Sequence, residues 1–322
     1  MSGAARILEP GQLEAPAGEI RFLFLAGRDI FARRAERYRQ LAPGHSLGEY
    51  LDFLALLADA QQGALDRFPA QPLPDSREQA HSREQGLPLL ATRSWPRDPA
   101  WRGALAEILA QLGQAPLPPA AAATVAELRQ ARESYLEEIA DRILGGDLDR
   151  VSPQELPFVA AALQVYWVHL ASSLEVTATG RHEQGGICPV CGSTPNVGLV
   201  NVSGAEQGLR YLCCSLCASQ WHMVRIKCSI CASTHGINHY IQEGSNSAVK
   251  AESCDDCNCY LKLLYLDQDP RMEAVADDLA TLSLDLLMDQ EGKARGGPNL
   301  YFHPGSRPAG AGKFPAGSPA AE

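Results

Sequence analysis

Ten cysteines crowd between Cys188 and Cys259 of a 322-residue chain whose first 187 residues contain none. Eight of them form four C-x-x-C pairs: Cys188/Cys191, Cys214/Cys217, Cys228/Cys231 and Cys254/Cys257. Adding forty to the first two pairs gives the last two, so C-x2-C-x22-C-x2-C is written twice in tandem. Ser-Thr follows the first pair of each copy, as Ser193-Thr194 and Ser233-Thr234. Thiolates two residues apart can aim at one point from a tight knuckle whose backbone N–H groups face the sulfurs. Two such knuckles joined by a hairpin complete a tetrahedral site of four sulfurs. The doubled phrase therefore reads as a duplicated unit holding two metal ions in tetrathiolate sites. Sequential pairing, first with second and third with fourth, is expected over interleaving, because each copy then contains a whole site. Zinc and rubredoxin-type iron both suit four thiolates, and spacing does not choose between them.

Other chemistries fit less well. Disulfide staples are expected in secreted proteins, and the opening "MSGAARILEPGQLEAPAGEI" lacks the basic-then-apolar order of a signal peptide. A thioredoxin-like site needs one exposed pair on a βαβ unit rather than four pairs on hairpins. A closed four-cysteine site leaves no coordination position for water, and the chain has no P-loop, G-x-S-x-G, H-E-x-x-H or dinucleotide fingerprint, so an enzyme is not expected. Nucleic-acid binding is disfavoured by charge. Residues 188–259 carry Arg210, Arg225, Lys227 and Lys250 against Glu206, Glu243, Glu252, Asp255 and Asp256, and the whole chain has a formal charge of −10. Cys213 and Cys259 fall outside the repeat and read as buried small hydrophobes, His169 as a core residue, and His222, His235 and His239 as strand or loop residues. Arg33, Arg34, Arg37 and Arg39 read as a solvated helix face.

These sites need elements to hold them. The expected fold class is α+β: an N-terminal all-α domain, two tandem rubredoxin-like or zinc-ribbon-like modules, and a C-terminal helix. The domain spans are 20–183 for the helical part, 184–227 and 228–268 for the modules, 269–292 for the last helix, and 293–322 for a flexible Pro/Gly tail. A helix opening on a Ser46/Glu49 capping box carries Leu47, Leu51, Leu54, Ala58 and Leu65 at helical spacing. A connector runs from about 69 to 99, followed by helical patterns near 99–112 and 119–144. Ser152, with Pro153 and Glu155, signals the start of a helix apolar nearly all round, the expected centre of the helical domain. Its run "LPFVAAALQVYWVHLA" is too short, and with Gln164 and His169 too polar, to span a bilayer. In the first module "PNVGLVNV" and "GLRYLC" read as strands with "SGAEQ" turning between them. Each hairpin has a thin core, and a bound metal contributes roughly 10–16 kcal/mol of apparent folding energy in small zinc modules. The last helix is expected to start near Asp269-Pro270, to line Met272, Val275, Ala276, Leu279, Leu282 and Leu286 on one face, and to stop at Gly292.

The segments "CPVCGSTP", "GLRYLCCSLC", "WHMVRIKCSIC", "KAESCDDCNCYLKLLY" and "DPRMEAVADDLATLSLD" together resemble the formate dehydrogenase accessory protein family FdhE. "RRAERYRQLA", "GEYLDFLALLADAQ" and "PFVAAALQVYW" look like it too, so the resemblance covers about 20–300. It implies a cytoplasmic maturation factor that binds the catalytic subunit of respiratory formate dehydrogenase before export and holds rubredoxin-like iron. Carried over, Cys188, Cys191, Cys214 and Cys217 would ligate one ion, and Cys228, Cys231, Cys254 and Cys257 the other. The alternatives are a rubredoxin-like electron-transfer protein or a zinc-ribbon nucleic-acid binder. One departure concerns the residue after each second cysteine. Gly192 adopts a left-handed turn easily, Asn258 less so, and Ala218 and Ala232 least, which argues against four uniform knuckles.

Overall fold

Apolar residues at helical spacing build the first half of the chain. The structure is a computed structural model describing residues 20–180, 185–201, 208–242 and 248–302. After a short strand β1 (Leu23–Phe24) come α1 (Ile30–Leu41), α2 (Gly48–Asp66), α3 (Ser76–Gln85), α4 (Ala100–Leu112), α5 (Pro119–Gln130), α6 (Glu133–Gly145) and α7 (Leu156–Ser172). Every residue of α7 from Leu156 to Ala171 is buried. A helix apolar all round is stable only when surrounded, and α2, α4 and α6 enclose this one.

Helix ends depart from the sequence reading. Ser46 does not cap α2, which begins at Gly48 without a side-chain cap; the Nδ1 of His45 accepts from the Leu47 N–H instead. The real capping box lies inside the connector, where Asp75 and Glu78 reciprocally close the start of α3 and Gly86 ends it in a left-handed conformation. Residues 152–155 form a turn, and α7 starts at Leu156 with Pro157 in its first turn. The pattern 119–144 splits at Ala131 and Arg132, whose extended backbones re-aim Leu136, Ile139, Ala140 and Ile143 into the core. Neither residue is a helix breaker, so packing overrides propensity here.

The second half is a sheet of β2 (Pro195–Val200), β3 (Arg210–Cys214), β4 (Gln220–His222), β5 (Ile237–Tyr240), β6 (Val249–Cys254) and β7 (Cys259–Tyr265). The "PNVGLV" and "RYLCC" strands pair antiparallel; the expected turn "SGAEQ" lies outside the described residues. The order is β1-β4-β3-β2-β7-β6-β5, with the short β8 (Ala294–Arg295) on β7. Within each repeat the strands are antiparallel, and the parallel β2–β7 pair, from Val197↔Lys262 to Val200↔Tyr265, fuses the two repeats into one sheet. The last helix is two: α8 (Ala276–Leu279) and α9 (Leu282–Gln290). The Thr281 hydroxyl donates to Asp277 O, and the buried Lys262 ammonium takes Asp278 O and Thr281 O, diverting carbonyls from a continuous helix. In consequence Leu284 and Met288 are buried and Leu286 is exposed.

Arg34 and Arg37 are not solvated. Arg34 is only 2% exposed and its Nε lies 3.0 Å from Glu273, with Nη1 2.8 Å from Gln164. Arg37 pairs with Asp277 and Asp269. These charges tie α1 to the segment around α8. Arg33 and Arg39 do remain at the surface, beside Asp29 and Asp59.

Candidate metal centres

The hairpins bring the cysteines together in two groups: Cys188, Cys191, Cys214 and Cys217, and Cys228, Cys231, Cys254 and Cys257. In each group all four sulfurs lie within 4.8 Å of one another. Sulfur–sulfur separations include 3.4 Å (Cys191–Cys214), 3.6 Å (Cys188–Cys217), 3.7 Å (Cys231–Cys254) and 3.8 Å (Cys228–Cys257). Sulfurs at the corners of a tetrahedron with metal–sulfur bonds of about 2.3 Å stand about 3.8 Å apart, whereas a disulfide is about 2.05 Å. All ten cysteines are free. The spacing is that of a four-sulfur metal cage.

The knuckles repeat in detail. Gly192 (φ 77°), Ala218 (φ 56°), Ala232 (φ 62°) and Asn258 (φ 52°) all adopt the left-handed conformation. Among the described residues, the last three are also the non-glycine residues with positive φ. The expectation of unequal knuckles is therefore wrong. The left-handed turn costs a β-carbon roughly 1–2 kcal/mol, so four-fold repetition of it shows a geometry imposed by the cluster rather than by local preference. The turn sends backbone N–H groups toward sulfur: Val190 N–H donates to Cys188 Sγ, Leu216 and Cys217 N–H to Cys214 Sγ, and Ile230 N–H to Cys228 Sγ, each at 3.4 Å. Such donors stabilise thiolates, which is the form a metal requires.

The two centres differ in surroundings. The first is buried throughout. The helical domain seals it: Leu90 and Thr92 N–H donate to Val190 O and Cys191 O, Trp167 Nε1 holds Leu90 O, and Gln164 Nε2 donates to Ser215 O at 2.8 Å. At the second centre Cys231 is exposed and Cys257 half-buried. Burial raises the Cys188 and Cys214 thiols well above their ordinary range. It acts on Cys191 too, yet hydrogen bonds from Cys188, Cys214, Cys217 and Ser193 outweigh it and hold that thiol well below. At the second centre burial pushes Cys228 up to about 11, while backbone and cysteine hydrogen bonds bring Cys231 down. Four sulfurs this close hold little negative charge unless a cation joins them, the situation a zinc or ferrous ion resolves.

Cys213 and Cys259 are buried and belong to neither group. Cys259 occupies the position that Ser219 holds in the first repeat, each facing the second knuckle, since Cys214 bonds to Ser219 O and Cys254 pairs with Cys259. His169 is a core residue packed 4.9 Å from the Phe68 ring, its pKa lowered by burial and by Arg28. His222, His235 and His239 sit on or between strands, outside both sulfur groups. Sequence reasoning missed Gln164 and Ser219 as supports. Ser219 Oγ lies 3.3 Å from Cys217 Sγ, and Gln164 was legible only as the polar interruption of an apolar helix.

A helical platform carrying a duplicated sheet with two four-cysteine cages is the class this fold and its sites define. Three family models match in chain order: FdhE, N-terminal, over 20–183; FdhE, central domain, over 187–225; and FdhE, C-terminal domain, over 226–302. A protein FdhE homolog from Enterobacter sp. (strain 638) is 44% identical over 88% of this chain and 91% of its own. One from Pseudomonas aeruginosa is 43% identical over 93% of this chain and 98% of its own. The crystal structure of the FdhE protein from Pseudomonas aeruginosa superposes with a TM-score of 0.79 at 40% identity, covering 89% of this chain and 100% of that one. The chain belongs to the FdhE family. No helix among the described residues is long and apolar enough to cross a membrane.

Proposed function

We propose that this protein is a cytoplasmic accessory factor for respiratory formate dehydrogenase, binding the catalytic subunit before export, and that it is not itself an enzyme. The eight cysteines Cys188, Cys191, Cys214, Cys217, Cys228, Cys231, Cys254 and Cys257 act as ligands of two metal ions, iron on the family resemblance, with zinc chemically acceptable. Family membership along nearly the whole chain supports the role, and the observation that carries the metal half is the recurrence of one left-handed knuckle at all four cysteine pairs. Each ion would supply a closed, tetrahedral cross-link, with no position left for a substrate. The chain's own contribution is to gather the sulfurs, direct backbone N–H groups at them and, at the first centre, exclude water.

The test is co-purification of the full chain with a formate dehydrogenase catalytic subunit under anaerobic conditions. Binding is expected with the parent chain and loss is expected with Cys188→Ser or Cys254→Ser. Unchanged binding by folded variants would remove the metal sites from the role, and no binding by the parent chain would remove the role. An electron-transfer reading rests on the exposure of Cys231, which brings one ligand to solvent. It requires iron and reversible bleaching of thiolate-to-iron absorption on reduction. A colourless protein from iron-replete cells would end it.

A further inference from the structure

The repeats are alike in sequence and knuckle geometry, yet their cages differ in enclosure: all four cysteines of the first are buried, only Cys228 and Cys254 of the second. The first cage is walled by the helical domain on two sides. On one side the segment around Leu90 and Thr92 hydrogen-bonds to the Cys188–Cys191 knuckle through Val190 O and Cys191 O. On the other, Gln164 grips Ser215 O in the Cys214–Cys217 knuckle. Gln164 Oε1 in turn accepts from Arg34, which pairs with Glu273, and from the Tyr301 hydroxyl at 2.5 Å. One side-chain chain therefore links the first cage to α1, α7 and the segments flanking α8 and following β8. Reaching these sulfurs means parting the two halves of the molecule.

The second cage lacks that enclosure. Cys231 is exposed, Cys257 half-buried, and the knuckle residues Ala232 and Asn258 face solvent. Its support comes mainly from the edge: Ala294 N–H donates to Asn258 O, and the Lys293 ammonium bonds Asp255 and Asn258. Surface ion pairs of this kind are weak, and local opening needs far less than global unfolding.

We propose that the two centres divide the work: the first is a permanent joint between the helical domain and the sheet, and the second, at Cys228, Cys231, Cys254 and Cys257, is an exchangeable site open to chelators and thiols. This rests on the reading that both groups hold a metal ion. Exchange is ligand substitution. An incoming donor takes the coordination position that Cys231 Sγ vacates, the freed thiolate takes a proton from water, and no electrons move.

The experiment uses the full chain loaded anaerobically with zinc and mixed with a chromophoric chelator, while iodoacetamide labelling is followed by peptide mass spectrometry. One equivalent of zinc is expected to leave at least about tenfold faster than the other, with Cys231 and Cys257 alkylated during the fast phase and Cys188, Cys191, Cys214 and Cys217 still protected. A Cys231→Ser variant should lose the fast equivalent and keep the slow one; because it is not certain to fold, the labelling of the parent chain decides alone if it does not. Release of both equivalents in a single phase, or alkylation of the first group in step with Cys231, overturns the division of work while leaving the two-ion reading intact. A chain that takes up neither zinc nor ferrous iron overturns the two-ion reading, and the division falls with it.

Discussion

The left-handed knuckle residues carry a stability prediction that runs against ordinary substitution. Ala232 is exposed and sits at φ 62°, so Ala232→Gly removes a β-carbon that contributes no burial. The left-handed conformation costs an L-residue roughly 1–2 kcal/mol, and that strain is relieved. Against it stands the greater freedom of glycine in the unfolded chain, about 0.4–1 kcal/mol. The difference predicts a net gain of about 0.5–1 kcal/mol. Ala218→Gly gains the same relief but gives up a buried methyl group, about 0.8 kcal/mol, and should come out near neutral. Gly192→Ala runs in reverse at φ 77°, with a new β-carbon 3.3 Å from Pro88, and should lose about 1 kcal/mol. Urea titration of the cobalt-substituted chain, followed through its thiolate-to-metal absorption, reads the cages directly. A lowered midpoint for Ala232→Gly together with a raised one for Gly192→Ala would refute the claim that the cluster holds its knuckles under strain.

Other substitutions probe the supports. Glu273→Ala leaves the buried Arg34 guanidinium without its carboxylate and should cost about 3–5 kcal/mol by urea denaturation, whereas the double change Arg34→Met/Glu273→Leu should cost clearly less. Burial raises the Glu137 carboxyl, but hydrogen bonds from Arg97, Arg102 and Trp101 outweigh this and hold it below the ordinary carboxylate range. Its contribution is therefore full above the ordinary carboxylate range and is lost as pH falls through the depressed value. Glu137→Gln should thus lower the melting temperature at pH 7, with the gap to the parent chain closing under acid conditions. Asp75→Ala removes both the Arg77 and Glu78 N–H contacts and should cost α3 about 1 kcal/mol, visible as faster amide exchange confined to 76–85.

The cysteine cages were the most legible part of the chain, because C-x-x-C spacing encodes a local geometry and the forty-residue repeat states it twice. The enveloped helix α7 was equally plain, since a run apolar on every face has nowhere to go but inside. What escaped was set by distant partners. Arg34 and Arg37 look like any solvated helix charges until Glu273, just before α8, and Asp277, within it, supply their carboxylates. The split of the last helix follows from Lys262, a residue on a strand, taking carbonyls that the helix would otherwise use. Ser46 and Ser152 carried the residue types of a cap without forming one, while Asp75 capped a helix in a stretch read as a connector. The left-handed knuckles at Ala218 and Ala232 were misjudged for a related reason. Local preference opposes them, and the four-sulfur cluster overrides it.

That eight sulfurs grip two ions, one in each half of the duplicated unit, is tested most directly by native mass spectrometry of the full chain purified without oxygen. Two bound metal ions per chain are predicted, with all eight cage cysteines shielded from alkylation until a denaturant or a chelator is added. A chain that is folded yet metal-free, or one carrying cysteines oxidised in pairs within each cage, would contradict the account.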